Sequence, residues 1–256
     1  MKLYIKKIKR IFGLAFSLAK SNFKLRNEGS YLGIFWYLLE PLSFFIIILI
    51  MSGAIYEKKV EQYPIYLFLG LIMFNFFMAV TSASCKAMQE NSNIIKSMKV
   101  DKEIFVIIPL IQFIFSHFFE MLILLAMMVF YKINIVYFSL YFIVFFFFCI
   151  LCLAFNFILS AIGVFIKDLE NVWRIFGRLL WLATPIFYYA RPGTAIHWFN
   201  SLNPLYHFIS IAREFIIFGR ITSIKSIMVA FVTSLVILII GIIIFEKNKD
   251  KFAENI

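Results

Sequence analysis

Long apolar runs separated by short polar breaks set the pattern of this chain. Spans of about 20 apolar residues are expected near 33–56, 64–85, 104–131, 137–166, 171–189 and 226–245. Ahead of them, residues 5–26 alternate at helical spacing. Ile5, Ile8, Phe12, Ala15, Ala19 and Phe23 fall on one face, and Lys6, Arg10, Ser17, Lys20 and Lys24 on another. That rhythm predicts a helix lying at the membrane interface, its cations toward anionic lipid, or docked on a partner protein. Asn27-Glu28-Gly29-Ser30 ends it. The organisation expected is an interface helix in 1–32, a membrane domain in 33–245 and a cytoplasmic tail in 246–256.

Residues 181–220 break the pattern. They are apolar and aromatic, but Pro185, Pro192 and Pro204 each lack a backbone donor, and Gly193 and Asn203 favour turns. The second apolar half carries His207, Arg213 and Glu214. Two arrangements fit: short re-entrant helices beside a pathway, or an amphipathic hairpin on the membrane surface. Residues 86–103 are too polar to enter the bilayer. Asn91 or Asn93 is placed to cap a short helix there, with Ile94, Ile95 and Met98 on its apolar side. Such a helix is either a docking lever for a cytoplasmic partner or a solvated loop.

Composition confirms the class. Of 256 residues, 63% are hydrophobic and 20% aromatic, well above a soluble domain. A net charge of +11 in a soluble protein would point to nucleic acid. Here topology accounts for it. With the N-terminus inside, the cytoplasmic segments carry 18 Lys and Arg and the outer ones 7. The fold class is therefore an all-α membrane protein of six transmembrane helices, both termini cytoplasmic, with short re-entrant helices between spans 5 and 6 as one of the two readings. No cleavable signal sequence, disulfide framework or nucleic-acid partner is expected.

Candidate chemistry is sparse. Glu40, followed by Pro41, lies about seven residues into the first span, to face the bundle interior or reach back to the interface. His117 and Glu120 share a face as a structural pair, too few for a metal site. No G-x-x-x-x-G-K-[ST] is present, so ATP hydrolysis through a P-loop requires another chain. No cofactor is expected.

Several motifs in order resemble ABC-2 type polysaccharide export permeases: Gly29-Ser30-Tyr31-Leu32-Gly33-Ile34-Phe35-Trp36, Glu40-Pro41-Leu42, Glu90-Asn91 with Ile94-Ile95-Lys96, Lys167-Asp168-Leu169, Thr184-Pro185-Ile186-Phe187-Tyr188, Asn203-Pro204-Leu205-Tyr206-His207, Arg213-Glu214 and Gly219-Arg220. The resemblance implies a homodimer paired with two copies of a separate ATP-binding subunit, exporting a lipid-linked polysaccharide through the inner membrane. It implies partner contact at Glu90, Asn91, Ile94, Ile95 and Lys96. It implies an outer gate at Pro185, Phe187, Tyr188, Asn203, Pro204 and Tyr206, and channel or first-span positions at Gly33, Trp36, Glu40 and Pro41. A permease for a small molecule or lipid, and a membrane-embedded transferase, are the alternatives.

Overall fold

The computed structural model describes residues 2–28, 31–56, 60–190, 193–220 and 223–256. Gly29-Ser30, loop residues 57–59 and Pro192 lie outside the described residues. The helices are α1 (Lys2–Asn27), α2 (Trp36–Tyr56), α3 (Tyr63–Glu90), α4 (Ser92–Ser97), α5 (Glu103–Phe130), α6 (Val136–Phe165), α7 (Leu169–Ala183), α8 (Ala195–Ser201), α9 (Pro204–Phe218), α10 (Ile224–Asn248) and α11 (Phe252–Asn255). No strand occurs among the described residues. Four helices are long and apolar enough to cross a membrane: α3, α5, α6 and α10 with the turns that follow it. The other two expected crossings differ. α2 has 21 residues, and its apolar part is Trp36–Ser52. α7 has 15 and stops at Ala183, short of the expected 189. Pro185 supplies no N–H to continue it, and Thr184 turns to extended backbone.

α3 is the central post. Its residues from Tyr63 to Phe74 are all buried, which is how a helix apolar on every side behaves. It packs against α2, α5, α6, α7 and α9, and α10 lies along α6. Between apolar helices in lipid, association depends on close packing and on interhelical hydrogen bonds. Both are visible where α3 meets α6. A Cβ at Gly163 would sit 2.0 Å from the Cys85 carbonyl oxygen. Alongside, the Gln89 amide donates to the Gly163 carbonyl (2.7 Å) and the Ser160 hydroxyl to that of Ser84 (3.1 Å).

α1 is helical as expected, and its buried face shares Ala15 and Ala19 with the one the spacing indicated but is rotated away from Ile8 and Phe12. Ile8 and Phe12 are half exposed, whereas Ile11, Ala15 and Ala19 are buried against the start of α5. The two alanines allow α1 to approach α5 closely, and the larger Ile8, Phe12 and Phe16 are left outward. Lys7 (3.2 Å) and Arg10 (2.5 Å) pair with Asp101, just before α5. Partial burial pushes the Asp101 carboxyl up. The hydrogen bonds from Arg10 and Lys7 outweigh it and hold the pKa below the usual carboxylate value. The contribution of this latch is therefore full above about pH 4 and is lost only as pH falls through that lowered value.

The loop after α3 also departs from expectation. α3 continues to Glu90, and neither asparagine caps α4 with its side chain. Asn91 donates back to the Ala87 carbonyl (2.8 Å), and Asn93 lies inside α4. The expected tail is folded: Phe252 is fully buried, 5.2 Å from the Phe245 ring, with Lys102 Nζ over its own ring at 5.6 Å.

Two glycines give opposite expectations. Gly163→Ala forces a carbonyl contact and lowers stability by about 1–3 kcal/mol. Gly13→Ala, in α1 with open space around it, raises stability by about 0.5–1 kcal/mol. Thermal unfolding of the detergent-purified protein reads both.

Candidate functional site

Where α7 stops, the chain crosses residues 184–190 without helical hydrogen bonds. Four successive carbonyls there find side-chain donors instead. Arg213, on α9, donates Nη1 to Pro185 (2.8 Å) and Nη2 to Ile186 (2.8 Å). Tyr63 donates to Phe187 (2.7 Å) and Tyr66 to Tyr188 (3.1 Å), both from the first turn of α3. Arg213 also donates Nε to the Tyr66 carbonyl (3.0 Å), and its guanidinium lies 3.4 Å from the Tyr66 ring centroid. Arg213 is only 4% exposed and has no carboxylate partner among the described residues. Its charge is compensated by three carbonyl dipoles and one aromatic face. Gly70 makes room: a Cβ there would lie 2.5 Å from Arg213 Nη2 and 3.2 Å from the Ile186 oxygen.

The return is tied in at its far side too. Asn203 accepts from the Leu205 amide, capping α9, and donates to Thr184 Oγ1 (2.9 Å), which in turn donates to Leu180 (2.7 Å). His207 pairs with the Ser201 carbonyl (2.8 Å), holding α8 to α9. Phe187 stacks on Trp181 at 5.0 Å. Of the six residues expected at the outer gate, Pro185, Phe187, Tyr188 and Asn203 share this one bonded unit. Pro204 opens α9, and Tyr206 faces His197 in a cavity of about 370 Å³ shared with Glu61, Tyr189 and Glu214. A wider cavity of about 1060 Å³ lies over Phe187, Tyr188 and Phe199. Sequence reasoning noted Arg213 as a charge in an apolar run but gave it no role. That oddity was the available signal.

At the opposite end, the junction of α3 and α4 carries the residues expected to meet a partner. Glu90 and Lys96 are exposed, and Asn91 and Ile94 are partly buried. Ile95 is 7% exposed and packs with Ile104, Phe105 and Phe252. It belongs to an apolar cluster of the chain itself. Lys96 donates to the carbonyl of Ile256. Glu170, at the start of α7, is held by Lys86 and Arg174, which brings the ends of α3 and α7 together.

The first-span positions separate by role. Gly33 takes a left-handed φ of +46°, which a β-carbon would strain, and starts the turn into α2. Trp36 and Glu40 are exposed, and Pro41 is buried within the helix. Glu40 lines a cavity of about 470 Å³ with Glu120. His117 and Glu120 do pair, through Nδ1 and Oε2 at 2.5 Å, and His117 Nε2 meets the Tyr141 hydroxyl at 2.8 Å. Among the described residues no group of three or more His, Cys, Asp or Glu could hold a metal.

Arg213→Met leaves the Pro185 and Ile186 carbonyls buried without donors. It is expected to destabilise the protein by about 3–5 kcal/mol, with protease cleavage appearing in residues 184–190. Arg213→Lys does not restore it, because an ammonium cannot span three carbonyls in a planar fork. A melting curve and limited proteolysis of the three proteins decide this.

No protein-family model matches the chain. Curated proteins do. An O-antigen export system permease protein RfbA from Myxococcus xanthus is 23% identical over 251 residues, covering 95% of both chains. One from Klebsiella pneumoniae is 24% identical over 256 residues, again 95% of both. The polysialic acid transport protein KpsM of Escherichia coli is 25% identical over 238 residues, 86% of this chain and 87% of that one. The chain is thus similar, along almost its whole length, to permease proteins of polysaccharide export, the ABC-2 type family that its motifs resemble.

Proposed function

We propose that this chain is the permease subunit of an ABC exporter, moving a lipid-linked cell-surface polysaccharide across the cytoplasmic membrane while a separate subunit hydrolyses ATP. The observation that carries the reading is similarity to O-antigen export permeases over 95% of both chains. The held break at residues 184–190 supports it, since irregular backbone at membrane depth is tolerated where protein buries it beside a pathway.

The finer arrangement belongs to the same proposal. Both termini are cytoplasmic, following the bias of Lys and Arg. α2 and α7 complete six crossings, with α8 and α9 entering and returning from the outer side. Two copies pair. The exposed apolar face of α7, with Ile175, Leu179 and Leu182, is the surface available for the second copy. Two ATP-binding subunits press on the end of α3 and on α4, through Glu90, Asn91, Ile94, Ile95 and Lys96. α4 packs against α3 and α11 and shares one apolar cluster with α1 and the start of α5, so a push there reaches α1 and α5 through that cluster. The unit at Pro185, Phe187, Tyr188 and Asn203, with Pro204 and Tyr206, gates the outer end. The cargo slides on aromatic side chains, which stack on sugar faces with little selectivity.

A deletion strain tests the function. Lipid-linked polymer is expected to accumulate inside the cells and to reach the surface again on complementation. Unchanged surface glycan in the deletion overturns the proposal. Complementation with Glu90→Ala, Ile94→Asp tests the docking end. Trapped polymer with normal protein abundance supports it, and normal export assigns the partner contact elsewhere.

A further inference from the structure

α7 carries Arg174 and Arg178 one turn apart, on a face separate from its exposed Ile175, Leu179 and Leu182. Both arginines line a cavity of about 460 Å³ shared with α2 and α3. α3 fixes how deep that cavity lies. Its wall there is Phe74, Asn75 and Met78, and Gly177 of α7 is buried against Met78, whose Cε would stand 2.1 Å from a Cβ at position 177. Asn75 is near the middle of α3, a helix long and apolar enough to cross a membrane. Roughly 18 Å of helix separates it from the nearer end. An arginine at such depth is costly unless something pairs with it.

Arg174 is paired, with Glu170 at 3.4 Å and Asn171 at 3.2 Å. Glu170 is the one acid within α7, and Lys86 holds it too. Arg178 has no ion-pair partner among the described residues, and the Asn75 carboxamide has no hydrogen bond among them. No acid among the described residues lines this cavity. Glu40 and Glu120 line the neighbouring one, which shares Phe44, Asn75 and Met78 with it. Two guanidiniums and an amide therefore converge with nothing anionic between them, and like charges at i and i+4 repel. An anion accepting from both arginines removes that repulsion. One guanidinium fork fills a carboxylate, whereas a phosphate offers oxygens on several sides, enough for a fork from each arginine and an N–H of Asn75. Trp181 and Phe44 meet edge to face at 6.4 Å on the remaining wall, an apolar surface for whatever the phosphate is attached to. We infer that this cavity binds a phosphate ester through Arg178 and Arg174. Assigning that phosphate to the exported cargo rests on the transport reading; the site itself does not.

Calorimetric titration of the full chain, in a maltoside detergent and phosphate-free buffer, tests it. The probes are glucose 1-phosphate and farnesyl phosphate, with glucose and farnesol as their neutral counterparts. A phosphate probe is expected to bind at least about tenfold tighter than its neutral counterpart, the worth of one charge-assisted hydrogen bond. Arg178→Gln, at an exposed position with no partner to lose, is expected to erase that ratio without lowering the melting temperature. Arg178→Lys, which keeps the charge without the fork, is expected to retain part of it. Binding of glucose 1-phosphate supports the site and makes a phosphorylated sugar sufficient for it. Binding of farnesyl phosphate alone supports it with a lipid-borne phosphate as the source. Phosphate and neutral probes that bind alike overturn the inference. So does a phosphate preference that survives Arg178→Gln, which assigns it to the surface cations of α1 and the loops. Unchanged surface glycan in the deletion strain, with the Arg178-dependent preference intact, refutes the transport reading and leaves the site standing.

Discussion

The guanidinium of Arg213 holds this structure open where a continuous helix would have closed it. A backbone that leaves helical geometry inside a membrane exposes carbonyls to a medium that cannot hydrogen-bond them. Residues 185–188 leave helical geometry within the apolar bundle, and each carbonyl is met from α3 or α9. Arg213 alone joins three chain segments, because only a planar fork with several donors can reach Pro185, Ile186 and Tyr66 together. Its burial would be prohibitive in isolation. Here the carbonyl dipoles and the Tyr66 ring stand where a counter-ion would.

This constraint propagates. Position 70 has to be glycine for Arg213 to lie flat against α3. Tyr63 and Tyr66 have to be on the first turn of α3 at i and i+3, so that both hydroxyls face the same stretch. Tyr63 is steadied in turn by Ser52 of α2 (2.6 Å). The end of the protein that holds residues 184–190 is therefore a bonded polar unit inside an apolar bundle. The end that holds α4 is different in kind. α4, α11 and the start of α5 close over one apolar cluster, with surface ion pairs around it. Those pairs are each worth under about 1 kcal/mol, so the apolar cluster holds that end together. A push on α4 meets a packed cap and is passed on, whereas a pull on residues 184–190 meets discrete hydrogen bonds that can be exchanged one at a time.

Much of the fold was legible. Apolar runs located α3, α5, α6 and α10 to within a few residues, and the proline-broken return was recognisable because Pro185 and Pro204 leave no alternative. Details that depend on a neighbour were not. The buried face of α1 keeps Ala15 and Ala19 of the expected stripe but takes Ile11 in place of Ile8 and Phe12, because the two alanines permit close approach to α5. Nothing local reveals that Ile95 joins the same apolar cluster as Phe105 and Phe252.

The sequence by itself determined the solvent this protein lives in, the number and order of its apolar segments and the point where one must break. Those follow from length, composition and missing backbone donors, which are properties of the chain alone. Only the tertiary structure decided how the break is satisfied, which side of each helix is covered and which charges share a cavity. Glu40 and Glu120 are eighty residues apart and meet through helix packing. Arg213, on α9, reaches Pro185 across the intervening helix α8. Hydrogen bonds and cavities depend on distances between segments, and local pattern carries no information about those distances.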